Sequence, residues 1–117
     1  MQKRTNSMIL NFEKEYLRQL YETGTTSDKK HRFQPEIVRA YAKCVYRLEE
    51  AIVPEDLYKY QSLHFEALVG DKKSLYSVRV NNQYRVEFSM SKVELNQETV
   101  ETKVTICNII ELSNHYI

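Results

Sequence analysis

The chain has 117 residues, 42% hydrophobic and 28% charged, which suits one globular domain and leaves no room for a second core. A net charge of +1 and a pI near 7.7 exclude gripping nucleic acid by bulk basicity, so any RNA or DNA contact must rest on local charge. Two Gly and two Pro argue against a linker. The apolar run Met8-Ile9-Leu10 is too short for a signal peptide or a membrane span, which makes the cytoplasm the expected compartment, with no membrane partner.

Residues 1–7, MQKRTNS, read as a flexible polar extension, and 8–117 as the single domain. MILNF is a short strand. From Phe12 onward, Tyr16, Leu17, Leu20 and Tyr21 recur at the spacing of one helix face, with Asn11 as N-cap and Gly24 just past the end. TTSDKKHR is a polar connector. Pro35 opens a second helix, where its missing N–H costs little. Val38, Tyr41, Val45, Leu48 and Ile52 form that helix's buried stripe, and Arg39, Lys43 and Arg47 form a basic one. Pro54 ends the helix and PEDLYKY adds a further helical turn.

After Ser62 the period falls to two: Leu63, Phe65 and Ala67 alternate with His64, Glu66 and Leu68. VGDKK makes a turn. Tyr76, Val78 and Val80 predict one strand, and Tyr84, Val86 and Phe88 the next. Residues 91–101, SKVELNQETVE, read as a long exposed connection, and TKVTICNII as a strand in the middle of a sheet. Cys44 and Cys107 fall in apolar stretches and are expected as buried free thiols, with no metal-ligand spacing around them. The order of elements predicts an α+β domain, with two N-terminal helices packed on one face of a mainly antiparallel sheet.

The hairpin over residues 78–88 fixes its own register. A two-residue loop at Asn81-Asn82 would pair Arg79 with Tyr84 and set the apolar faces against each other. A three-residue loop, Asn81 to Gln83, pairs Val80 with Tyr84, Val78 with Val86 and Arg79 with Arg85, which keeps the hydrophobic set on one side. Two arginines then face each other away from the helices, at a cost of up to about 1 kcal/mol unless something anionic lies between them. Glu87 or a loop carboxylate could pair with them on a solvated face. Equally, the pair could be a phosphate site, using the fork of donors that arginine carries.

His64 and Glu66 are expected on that same face, and His115 after the last strand. A carboxylate, imidazoles and an arginine suffice to cleave RNA. A base takes the proton of a ribose 2′-OH, an acid protonates the leaving oxygen, and the cation stabilises the charged phosphorane. Tyr58, Tyr60 and Phe65 read as core or interface rather than as stacking platforms for bases.

Three segments, LYETGTTSDKKHRFQPEIVRAYAKCVYRLEEA, VGDKKSLYSVRVNNQYRVEF and IIELSNHY, resemble the HigB branch of the RelE/ParE toxin superfamily, with Gly70 to Phe88 as the most specific part. The resemblance covers about residues 8 to 117. It implies a compact RelE-like toxin with a curved sheet, a metal-independent and cofactor-free mRNA endoribonuclease acting on the ribosome. It also implies neutralisation by a helix-turn-helix, HigA-like antitoxin. By position it makes Arg85 a phosphate or transition-state contact, Tyr84 its packing partner and His115 an acid or base. Glu66 falls where members of the family carry a histidine, and Val69 where they carry a lysine. Ser113 and Asn114 stand in place of an aspartate and a tyrosine. The catalytic candidates are therefore Arg85, His115, Glu66 and His64, and the substrate-binding candidates Arg79, Lys72, Lys73, Asn114 and Tyr116. Two alternatives belong to the same superfamily: a ParE-like toxin that inhibits DNA gyrase without an acid–base pair, and a degenerate member that only binds antitoxin. The Arg39/Lys43/Arg47 stripe could be a solvated face, an antitoxin-docking surface or an RNA-facing one.

Overall fold

The computed structural model describes residues 3–97 and 100–114, with side chains over 8–94 and 103–114. Five strands, β1 (Lys3–Phe12), β2 (Glu66–Ala67), β3 (Tyr76–Arg79), β4 (Tyr84–Gln97) and β5 (Val100–Asn114), form one open sheet in the order β1-β5-β4-β3-β2. The pairings are antiparallel except β1 with β5, which is parallel. Helices α1 (Glu15–Thr23) and α2 (Pro35–Glu50) share one apolar core with the sheet. The α+β architecture is the expected one, and β5 lies between two neighbours as its two apolar faces require.

Local chemistry explains the helix ends. Gly24 takes φ 79 and its N–H reaches back to the Leu20 carbonyl at 3.1 Å, a left-handed stop that suits glycine. Pro35 occupies the first turn of α2. At the far end of α2, the Asp56 carboxylate accepts from the N–H groups of Ile52 and Val53 at 2.9 and 3.2 Å and folds the chain into a 3₁₀ turn over Pro54–Lys59. Buried Tyr41 ties the helices together by donating to the Leu17 carbonyl at 2.8 Å. Leu17, Leu20, Val45 and Leu48 are buried alongside Val78, Val86, Phe88 and Ile109, and each such side chain removed from water contributes roughly 1.5–3 kcal/mol. Cys44 and Cys107 are buried free thiols, as expected.

Four local expectations are corrected. Asn11 does not cap α1, whose N-cap is Lys14; it lies in β1 and its amide donates to Asn108 across the parallel pair at 2.6 Å. Lys3 to Ser7 do not stand apart as an extension, because they continue β1 in register with Val100 to Val104. Residues 91–97 and 100–101 are strand rather than connection, pairing as a long hairpin that continues β4 and β5. Ile52 lies beyond the end of α2 and is 58% exposed, so the buried stripe stops at Leu48.

Candidate functional site

The hairpin loop is built as its sequence predicts. Asn81 Oδ1 accepts from the N–H groups of Gln83 and Tyr84 at 2.8 and 2.7 Å, an Asx turn that closes the three-residue loop. The Val80 N–H meets the Tyr84 carbonyl at 2.9 Å, and Arg79 sits opposite Arg85. Val78 and Val86 are fully buried on the helix side, which sends both arginines to the other face. The Cys44 thiol donates to the Arg79 carbonyl at 3.2 Å and pins this strand end to α2.

Two rows of side chains cross that face. Register places Glu66, Ser77, Glu87 and Glu111 in one row across β2, β3, β4 and β5, and Arg79, Arg85 and Ser113 in the next. Glu111 reaches this face because of a register shift beside Phe88: Phe88 pairs with Ile109 and Glu87 with Glu111, so Ile110 is the extra residue. Strict alternation puts Glu111 with Ile109 on the core side, and sequence reasoning missed it. The signal was there in the consecutive Ile109-Ile110 ahead of Glu111-Leu112, which breaks the period of two.

The like charges are resolved by divergence. Arg79 turns onto its own loop, with Nε donating to the Asn81 carbonyl at 3.2 Å and Nη2 to the Asn82 side chain. Arg85 turns onto Glu87, with Nε and Nη2 at 2.9 and 2.8 Å from Oε2. The Lys72 ammonium joins the same carboxylate, 2.9 Å from Oε1 and 2.7 Å from Oε2. The pairing of Glu87 with an arginine is thus real, but the face is not openly solvated there. Glu87 is 1% exposed and the Arg85 side chain 13%. Burial pushes the Glu87 carboxyl up, and Lys72 and Arg85 outweigh it, holding the group below the ordinary glutamate range.

The other candidates separate. Glu66 is exposed and shares the face, paired with Ser77. His64 does not lie two residues along a common strand. The chain makes a 3₁₀ turn over Gln61–Leu63 and passes through His64 at φ 45, so strand β2 starts only at Glu66. Lys73 is exposed at the end of the Gly70–Lys72 turn, and Val69 is 85% exposed. Asn114 pairs with Tyr84, whose ring packs edge-on against Phe33, and so belongs to the helix-side set rather than the arginine row. His115 and Tyr116 lie outside the described residues. The basic stripe of α2 is divided. Arg47 stacks over Tyr60 at 4.3 Å, Arg39 lines a cleft of about 460 Å³ with Phe33 and Arg32, and Lys43 is exposed. Among the described residues, no three His, Cys, Asp or Glu side chains are grouped to hold a metal, and no helix is long and apolar enough to cross a membrane.

Residues 10–103 match the family model for the RelE-like toxin of type II toxin-antitoxin system HigB. The chain belongs to the HigB-like toxin family. It is also similar to Toxin HigB-1 of Vibrio cholerae serotype O1, 38% identical over 82 residues that make up 69% of this chain and 82% of that one. A solved YoeB/ParE toxin from Agrobacterium tumefaciens is similar over 92% of this chain and 98% of that chain, with a TM-score of 0.47 and 14% identity. This HigB-like chain is a toxin of the type II toxin–antitoxin class, a class in which a toxin is paired with an antitoxin. The family match includes Glu66, Lys72, Arg79, Arg85 and Glu87, and ends ahead of Ser113 and the residues after it.

Proposed function

We propose that this HigB-like toxin arrests translation by cutting mRNA on the ribosome, with the arginine row as its phosphate site. The observation that carries the reading is the register pairing of Arg79 with Arg85 on the face away from the helices, with Lys72 drawn in beside Arg85. In this reading the Glu66 carboxylate, exposed on that face, takes the proton of the ribose 2′-OH. The oxygen attacks the adjacent phosphorus and the bond to the 5′-oxygen breaks, leaving a 2′,3′-cyclic phosphate. His115 returns a proton to the departing 5′-oxygen. Arg85, Arg79 and Lys72 balance the charge of the phosphorane, and Lys73 and Tyr116 extend the contact along the RNA. No step calls for a metal or cofactor. The toxin acts in the cytoplasm and is neutralised by a HigA-like helix-turn-helix antitoxin.

Expression of Arg85→Ala and His115→Ala variants tests the assignment. Each should abolish growth arrest, with circular dichroism unchanged and cleavage slowed on the order of 10²–10³-fold. Full toxicity of both variants sinks it. The family match weighs against the gyrase alternative, and pulse-labelling separates the two. Loss of amino-acid incorporation ahead of any DNA damage response supports mRNA cleavage, and the reverse order supports gyrase inhibition.

A further inference from the structure

Glu87 sits nearly inaccessible on a face whose proposed task is to attract phosphate. A lone carboxylate so placed would take up a proton; here two cations from different segments keep it ionised. Arg85 comes from the same strand two residues away, and Lys72 from the turn ahead of β3, fifteen residues back in the chain. The contacts are unevenly shared. Oε2 receives the Lys72 Nζ at 2.7 Å together with the Arg85 Nε and Nη2 at 2.9 and 2.8 Å, while Oε1 receives, among the described residues, Lys72 alone. One oxygen atom therefore fixes the spacing between an ammonium and a guanidinium. Lys72 is 43% exposed on its turn, and the Glu87 carboxylate is what fastens it there. Two cations on one carboxylate leave a single net positive charge, which complements the single negative charge of a phosphodiester. Glu66 and Glu111 occupy the same row of the sheet, so their charges lie to either side of Glu87 rather than with the arginines.

We propose that Glu87 is the positioning residue of the phosphate site, holding Lys72 and Arg85 at a spacing that lets them take the two non-bridging oxygens of one RNA phosphodiester. This rests on reading the face as the RNA-cleaving site and adds how its cations are arranged. Glu87 touches no substrate; it acts through the two side chains it anchors.

The test pairs single-turnover cleavage of mRNA on programmed ribosomes with equilibrium binding of a short single-stranded oligoribonucleotide across a KCl series. Glu87→Gln should slow cleavage on the order of 10²-fold, as expected of misplaced reacting groups. It should leave oligonucleotide affinity equal or tighter, with the salt slope steeper by about 0.7, since one carboxylate no longer neutralises a cation. Wild-type cleavage and a wild-type slope overturn the proposal. So does a parallel loss of cleavage, affinity and melting temperature, which marks a purely structural carboxylate. Should Glu87→Gln fail to fold, Lys72→Met on its exposed turn decides: slowed cleavage with weakened binding supports the clamp, and wild-type behaviour overturns it. A wild-type protein that cuts no mRNA fails the nuclease reading, and the salt slopes of the two variants then judge the clamp by themselves.

Discussion

On the helix side of the sheet, Val78, Val86, Phe88 and Ile109 are buried with Leu17, Leu20, Val45 and Leu48; on the opposite side, Glu87 is almost as inaccessible and is hydrogen-bonded by Lys72 and Arg85. The first burial is apolar and non-directional, stabilising in proportion to area. The second depends on three hydrogen-bonded charges staying in place, because a carboxylate removed from water contributes little net stability even when paired and costs a great deal when unpaired. One strand, β4, serves both, with Val86 and Phe88 facing the core and Arg85 and Glu87 facing away. The lesson is that the core side sets whether the chain folds, and the charged side sets what it can hold.

Substitutions that strike one side alone should pull these roles apart. The largest effect is expected from Phe88→Ala, which empties a fully buried site in the core and should cost about 3–5 kcal/mol in urea unfolding. Arg85→Ala leaves Glu87 with one cation rather than two, and should cost about 1–3 kcal/mol on the same measurement. If Arg85→Ala proves as damaging to stability as Phe88→Ala, the division of labour is wrong. A smaller and pH-dependent effect belongs to Glu87. Its carboxyl in the fold titrates below the ordinary glutamate value, so the unfolded chain takes up the proton first as pH falls. The stability it contributes is whole above about pH 4.3 and is lost as the pH drops below that toward the folded value. The wild-type curve of stability against pH should therefore bend more steeply there than that of Glu87→Gln. Asp28 and Asp56 are also depressed, but they are common to both proteins and cancel in the comparison. Arg79→Ala should change stability least, by under about 1 kcal/mol, because its partners are a loop carbonyl and an exposed asparagine side chain. Thiol labelling provides a final check on the core side. Burial pushes Cys44 and Cys107 up to about 11 and about 12, so native protein at neutral pH should resist iodoacetamide until it unfolds.

The features legible in the sequence are those with local causes. Gly24, Pro35 and the Asn81 turn each act within a few residues, and hydrophobic alternation through Val78 and Val86 is enough to set Arg79 against Arg85. What stayed hidden is settled over long distances. Asn11 looks like a cap because its partner, Asn108, is 97 residues away. Residues 91–97 look like a loop because that end of the hairpin is held by backbone pairing, with residues 91–94 exposed and little apolar patterning to betray a strand. The cationic cluster was half readable. Lys72 could be nominated from its chain position, and Glu87 from its parity with the arginines. Their meeting depends on how the Gly70–Lys72 turn folds back, which no periodicity encodes. The alternation through His64 fails for a related reason, since His64 itself takes the left-handed conformation and ends it.

The parallel pairing of β1 with β5 has a consequence for how the molecule is made. β5 is the hub of the sheet, yet every strand and helix that depends on it is synthesised earlier. Until it emerges, β1 has no strand to pair with and β4 exposes a bare edge, so the nascent polypeptide carries the materials of a toxin without its assembled form. The five-stranded sheet can close up only once translation has passed this strand.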